Sequence, residues 1–321
     1  MSDKNAIAII IPAYNASATV ARAVASALRE PEVQEVIVVD DASTDDTIAA
    51  AVSVSDGSKR LRLVALNKNS GPSVARNRAM AESTAPWIGI LDADDFFMPG
   101  RFKPMLALAD NADFIADDLW QVPENNIGAF KHSLYGDSLD KPCRVGFAEF
   151  VHSNVTQAGR ERGELGFIKP LMRRRFLDNN QLRYQEFLRL GEDYEFYARA
   201  LAQGARVFLT PERGYVSVMR PNSLSGQHSI DDLRRLRDCD DSLSALAGLS
   251  EQDRAALRAH YASVDCRLQW RLLIEAVKQR KLAEALATFQ RQHPVPLYLL
   301  SQLAQQVAVR TGKMFGRVTH A

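Results

Sequence analysis

Residues 87–102 read WIGILDADDFFMPGRF, an apolar run from Trp87 to Leu91 that ends in three carboxylates within four residues, Asp92, Asp94 and Asp95. The run has the pattern of a strand buried on both faces. Carboxylates packed that closely repel one another, and leaving them unpaired in low dielectric is costly. Either they face bulk water or something positive sits among them.

Upstream the same pattern recurs. AIAIIIPAY (6–14), EVIVVDDAS (35–43) and LRLVALN (61–67) read as buried strands, and DFIADDLW (113–120) as a fifth after WIGILDADD. Between them SATVARAVASAL (17–28), TDDTIAAAVSV (44–54) and GPSVARNRAMAES (71–83) read as helices. Ser17 or Thr19 is a candidate cap for the first, Ser43 or Thr44 for the second, and Pro72 falls in the first turn of the third. Strands alternating with helices at this spacing predict βαβ units, hence a mostly parallel sheet with helices on both faces. From residue 125 to about 185 the pattern weakens to irregular chain with short elements. GEDYEFYARALAQG (191–204) predicts a turn into a helix, and RVFLTPERGYVSVMR (206–220) two strands. From Ser229 on the chain reads as amphipathic helices with a break over Phe289–Pro296. The division this implies is an α/β domain over 1–228 and a helical region over 229–321.

With 321 residues, 46% hydrophobic and 25% charged, the chain has the composition of an ordinary soluble globular protein. Its formal charge of +1 argues against a nucleic-acid partner recognised through overall charge. The charge is uneven, with nine Lys/Arg and two Asp/Glu from Arg267 to Ala321. Cys143, Cys239 and Cys266 lie far apart without zinc or disulfide spacing, which suits a reducing cytoplasm. The apolar stretch Ala6–Ala13 lacks a small-residue cleavage site and reads as a strand, not a leader. No apolar run reaches the length of a membrane span. The six histidines are scattered and receive no role.

In open parallel sheets, ligands bind beyond the carboxyl ends of the strands. Three strands deliver Pro12, Tyr14 and Asn15, then Asp40 and Asp41, then Asp92, Asp94 and Asp95 to that one edge. Asp92-Ala93-Asp94 has the spacing of two oxygen donors for a hard divalent ion such as Mn²⁺ or Mg²⁺, or of a solvated turn. A calcium loop is excluded, because the next donor positions hold Phe96 and Lys103. Asp40-Asp41 is either a helix cap or a holder of ribose and base, and Tyr14 either packs or stacks on a base. Arg76 is either a surface arginine or an anion ligand near a helix start. Glu192 and Asp193, read alone, are first-turn acids offsetting a helix dipole. Neither GxGxxG nor GxxxxGK[ST] occurs, so no dinucleotide fold or P-loop is supported.

In order and spacing, IPAYN (11–15), VVDDASTDDT (38–47), NSGPSVARN (69–77) and LDADD (91–95) followed by MPGRF (98–102) resemble the family 2 glycosyltransferases. The resemblance is strong over about residues 6–105 and weaker to about 225, and it implies a GT-A fold acting on nucleotide sugars. GFIKPLMRRRFL (166–177) is loosely similar to exopolysaccharide glucosyltransferases of the succinoglycan type. What the resemblance implies is an inverting transfer from a nucleoside-diphosphate sugar such as UDP-glucose to a saccharide acceptor, in exopolysaccharide or other surface-glycan synthesis. It assigns the catalytic base to Asp193 in the ED pair, with Glu192 on the acceptor side. Pro12, Tyr14 and Asp41 would hold uracil and ribose, and Arg76 the base or diphosphate. Asp94 would ligate the metal and Asp92 support metal or ribose. Arg220 in MRPNSLSG (219–226) would approach the diphosphate from a closing segment.

Two rival readings remain at this stage. A sugar nucleotidyltransferase would favour a glycine-rich N-terminal loop, which IPAYNASATVARA lacks. A non-catalytic saccharide-binding relative is disfavoured because every acid the family needs is present. The basic tail, with Trp270, Leu272, Leu273, Ile274 and Val277 in one helix, either packs on the body or docks on an anionic membrane. The second option would suit a lipid-linked acceptor at the inner face of the cytoplasmic membrane.

Overall fold

The structure, a computed structural model, describes residues 3–130, 132–135, 138–155, 164–220 and 228–315. Its first half alternates as the sequence predicts: β1 (Ile7–Ala13), α1 (Val20–Leu28), β2 (Val33–Asp40), α2 (Thr47–Val52), β3 (Leu61–Ala65), α3 (Pro72–Glu82) and β4 (Trp87–Ile90). Then come β5 (Phe96–Phe97), α4 (Phe102–Leu106), β6 (Phe114–Pro123), β7 (His132–Ser133), β8 (Cys143–Val145), α5 (Phe147–Ser153), β9 (Leu171–Arg173) and α6 (Arg174–Asn179). The chain continues through α7 (Glu192–Ala202), β10 (Val207–Met219), α8 (Ile230–Ser244), α9 (Glu251–Lys278), α10 (Leu282–Ala287) and α11 (Val295–Phe315).

These strands form one sheet in the order β3-β2-β1-β4-β9-β6-β10-β5, with β7 beside β6 and β8 beside β10. The β3-β2-β1-β4 half is parallel throughout, in register Ile10↔Ile37 and Ile10↔Ile90. Ile7, Ile9, Ile10 and Ile11 are fully buried, as a central strand covered on both faces requires. β9 enters antiparallel between β4 and β6, carrying the tripeptide just after Lys169 into the middle of the sheet.

Two local expectations are corrected. Residues 207–219 form one strand, not two. Its register shifts around Arg213, but Arg213 pairs with Asp118 at 3.1 Å and the Gly214 N–H donates to Asp117 at 2.9 Å, so PERG becomes a bulge instead of a turn. Ser43 and Thr44 do not cap α2. The Ser43 hydroxyl accepts from the Asn15 N–H at 2.9 Å, and the Thr44 N–H donates to Asn15 Oδ1 at 2.9 Å, lacing together the loops after β1 and β2.

Capping boxes at Ser229 and Ser250 start α8 and α9. Leu233, Leu236, Leu243, Leu257, Val264 and Leu268 of these helices pack into the main core. Farther along, Leu273, Ala276, Ala285, Val295 and Leu299 form a separate small core.

Candidate active site

Beyond the carboxyl ends of β1, β2 and β4 the structure brings together most of the residues singled out from sequence. Pro12 sits half-buried opposite Val39, and the Tyr14 ring is 50% exposed, uncovered at the rim. Asp41 directly follows the last residue of β2. Its two oxygens accept the N–H groups of Ser70 and Gly71 at 2.7 and 2.8 Å, tying the end of β2 to the start of α3. The neighbouring Asp40 is buried, accepts from the Ser43 N–H at 3.1 Å, and keeps Oδ1 without a hydrogen-bond partner among the described residues. A buried oxygen of that kind calls for a donor.

Deeper in, five charged side chains interlock. The Arg76 guanidinium, only 4% exposed, donates from Nη1 to Glu192 Oε1 at 2.9 Å and from Nη2 to Asp92 Oδ1 at 3.1 Å, with Asp193 Oδ1 at 3.6 Å. It stacks over the Tyr184 ring. Lys169 Nζ reaches Asp193 Oδ2 at 2.6 Å and Asp92 Oδ2 at 3.1 Å. The Tyr184 hydroxyl donates to the other Asp193 oxygen at 3.1 Å. Burial opposes ionisation of Asp92, yet the charges of Lys169 and Arg76 outweigh it and bring its pKa down to about 2. Burial likewise works against the Lys169 ammonium, and Asp193 and Asp92 reverse it, pushing its pKa up.

The two terminal nitrogens of Arg76 are thus committed to carboxylates, while its Nε has no hydrogen-bond partner among the described residues. The cluster answers the question posed by the strand end. Asp92 is neutralised by the protein's own cations, one of which, Lys169, was given no role from the sequence. A lysine inside the apolar stretch GFIKPLM was the available signal, since a charge buried there needs a partner.

A second layer fixes these groups. The Tyr215 hydroxyl donates to Asp95 Oδ2 at 2.6 Å and accepts from the Asp92 N–H at 3.2 Å. Asp95 also accepts the Val218 N–H at 2.8 Å, and burial with the charges of Asp92 and Asp94 holds its carboxyl well above the usual range. Arg101 pairs with Asp117 at 2.7 Å, both buried, and donates to the Lys169 carbonyl at 2.6 Å, setting the backbone from which the lysine projects. Gly214 permits this approach, because a Cβ there would lie 2.3 Å from Arg101 Cγ. Gly191, at φ +71°, turns the chain so that Glu192 and Asp193 open α7.

Asp94 lies in different surroundings. Its nearest cation is Arg220, with Nε 3.7 Å from Oδ2, while Arg22 donates to the Asp94 carbonyl at 2.5 Å. Burial and the charge of Asp92 raise its pKa. Arg220 Nε and Nη2 have no hydrogen-bond partner among the described residues. The expected closing segment after Arg220, residues 221–227, lies outside the described residues. No three His, Cys, Asp or Glu side chains among the described residues converge to hold a metal alone. A carboxylate short of countercharge beside unsatisfied guanidinium groups does fit a divalent ion whose shell is completed by phosphate oxygens and water.

The family model for glycosyl transferase family 2 matches residues 8–166. The succinoglycan biosynthesis protein ExoU of Rhizobium meliloti (strain 1021) is 45% identical over 291 residues, covering 91% of this chain and 84% of that protein. Among solved structures, Staphylococcus aureus TarS 1–349 in complex with UDP-GlcNAc superposes with a TM-score of 0.63 at 18% identity, over 89% of this chain and 90% of that one. The mannosyltransferase PcManGT of Pyrobaculum calidifontis, in complex with GDP-Man and Mn²⁺, does so with a TM-score of 0.57 at 18% identity, over 94% and 86%. The last two share the fold of this chain.

Proposed function

The chain belongs to glycosyltransferase family 2, and from that premise we propose that it is an inverting hexosyltransferase of exopolysaccharide synthesis. The donor is a UDP-sugar of the UDP-glucose kind, and the acceptor is a saccharide carried on lipid at the inner face of the cytoplasmic membrane. Support comes from ExoU, a protein of succinoglycan biosynthesis, and from the UDP-GlcNAc complex of TarS. The observation that carries the reading is the Lys169 bridge, which brings Asp193 of α7 and Asp92 of the rim to one ammonium.

Pro12 and Tyr14 offer the base a wall and a ring, and Asp40 takes over from Asp41 the polar contact to base or ribose. Asp193 is the general base. With Lys169 on one oxygen and Tyr184 on the other, its orientation is fixed while an acceptor hydroxyl approaches beside Glu192. That hydroxyl attacks the anomeric carbon, its proton passes to Asp193, and the bond to the nucleoside diphosphate breaks with its electron pair on the leaving oxygen. Arg220, whose Nε lies 3.7 Å from Asp94 and 3.5 Å from Glu124, is the cation for the charge that develops there. Asp94 would hold a divalent ion, as Mn²⁺ accompanies the donor in PcManGT, and such an ion supplies Lewis-acid stabilisation of the diphosphate. Asp92 supports that ligand from its ion pairs.

Asp193→Asn tests the assignment. It should bind UDP as the parent does by calorimetry and release UDP from UDP-glucose and acceptor about 10²–10⁴-fold more slowly. Turnover equal to the parent's removes Asp193 as the base. Formation of UDP-glucose and pyrophosphate from UTP and glucose 1-phosphate would instead identify a nucleotidyltransferase.

A further inference from the structure

We propose that the outer face of α10 and the first half of α11 docks on an anionic lipid bilayer. Large apolar side chains that stay exposed cluster there. Leu282, Leu286, Leu297, Leu300 and Leu303 are 40–74% exposed, whereas the exposed apolar side chains of the α/β half gather at most in a pair, Ile48 and Val52 of α2. On α11, Leu297, Leu300 and Leu303 recur every three residues. They cover an arc of about 120° beside the face that buries Val295 and Leu299 in the small core. The helix therefore carries more apolar surface than its own core uses. Ser301, Gln302 and Gln305 take the remaining side, giving the two-sided character of a helix that lies in an interface.

Charge selects the occupant. Lys278, Arg280 and Lys281 stand exposed between α9 and α10. After Glu284 the chain has four Lys/Arg and no Asp or Glu to its end. A second copy of this face would bring like charges together. An anionic bilayer supplies the opposite charge and an apolar phase for the leucines. No helix among the described residues is long and apolar enough to cross a membrane, so the contact is with the surface. The argument uses none of the site residues and stands apart from the proposed reaction.

Co-sedimentation of the full chain with vesicles tests it. Vesicles containing phosphatidylglycerol should pellet about fivefold more protein than pure phosphatidylcholine, and raising salt to about 0.5 M should remove most of the difference. A Leu297→Ser, Leu300→Ser, Leu303→Ser variant should lose about tenfold in partitioning. Lys278→Glu, Arg280→Glu, Lys281→Glu should lose the phosphatidylglycerol preference even if the leucine variant fails to fold. UDP binding should match the parent in both. Equal pelleting with both lipids, no pelleting at all, or a dimer by light scattering that the leucine variant dissolves would each overturn the proposal.

Discussion

Asp92 and Asp94 are separated by one alanine on the same turn, yet their surroundings differ in sign. Asp92 meets two cations, at 3.1 Å from Arg76 and 3.1 Å from Lys169, and its pKa falls to about 2. Asp94 meets none closer than the Arg220 nitrogen at 3.7 Å, and its pKa rises. In the inner cluster the three carboxylates of Asp92, Glu192 and Asp193 share two cations at close range. At the outer rim Asp94 has only the longer contact to Arg220, which Arg220 shares with Glu124 at 3.5 Å. Close ion pairs hold α3, α7 and the strand end together in one region, and the other has none of that kind. The two should respond differently to mutation.

The largest effect belongs to the inner cluster. Lys169→Met leaves buried Asp193 and half-buried Asp92 without their shared ammonium, with only Arg76 still near both, which costs about 2–4 kcal/mol in urea unfolding. The matching Asp193→Asn, Lys169→Met double variant should recover part of that loss, because one orphaned charge is gone. Additive losses in the double variant would mean that the ammonium does not couple to Asp193. A smaller global effect, but a larger local one, is expected outside. Asp94→Asn should leave the unfolding curve close to the parent's and weaken Mn²⁺-dependent UDP binding by about tenfold or more. Undiminished Mn²⁺ dependence would remove Asp94 as the metal ligand.

The same contrast explains what could be read from the sequence. The parallel half was legible because strands covered on both faces are continuous apolar runs, and the glycine, proline and acid positions mark their ends. The edge where the acids gather followed from topology alone. What was not legible is which acid is paired with what. Asp40 and Asp41 are adjacent and chemically identical, and only the path of Ser70 and Gly71 past Asp41 decides that Asp40 is the one left over. Lys169 enters the cluster through β9, a three-residue strand too short to register as a period. The continuity of β10 depended on Asp117 and Asp118 across the sheet, partners that no window of neighbouring residues contains.

The subtlest difference between the two carboxylates is the sign of their pH linkage. Asp92 has a folded-state pKa below its unfolded value, so it adds stability above the unfolded pKa and loses it as pH falls toward about 2. Asp94 has a raised folded-state pKa, so its contribution is fully present below the unfolded pKa and is lost as pH rises through the folded one. At neutral pH the ionised Asp94 therefore costs stability in the ligand-free protein. Its side chain is 40% exposed, so screening by water keeps the cost below about 1 kcal/mol. Asp94→Asn should accordingly melt about 1 °C above the parent at pH 7.5, with the gap closing toward pH 4. Asp92→Asn should melt below the parent at pH 7.5, and that deficit should shrink only under stronger acid. Scanning calorimetry across this range reads both at once. If Asp94→Asn melts lower than the parent at neutral pH, Asp94 already has its countercharge within the protein, and the outer rim needs no ligand to be complete.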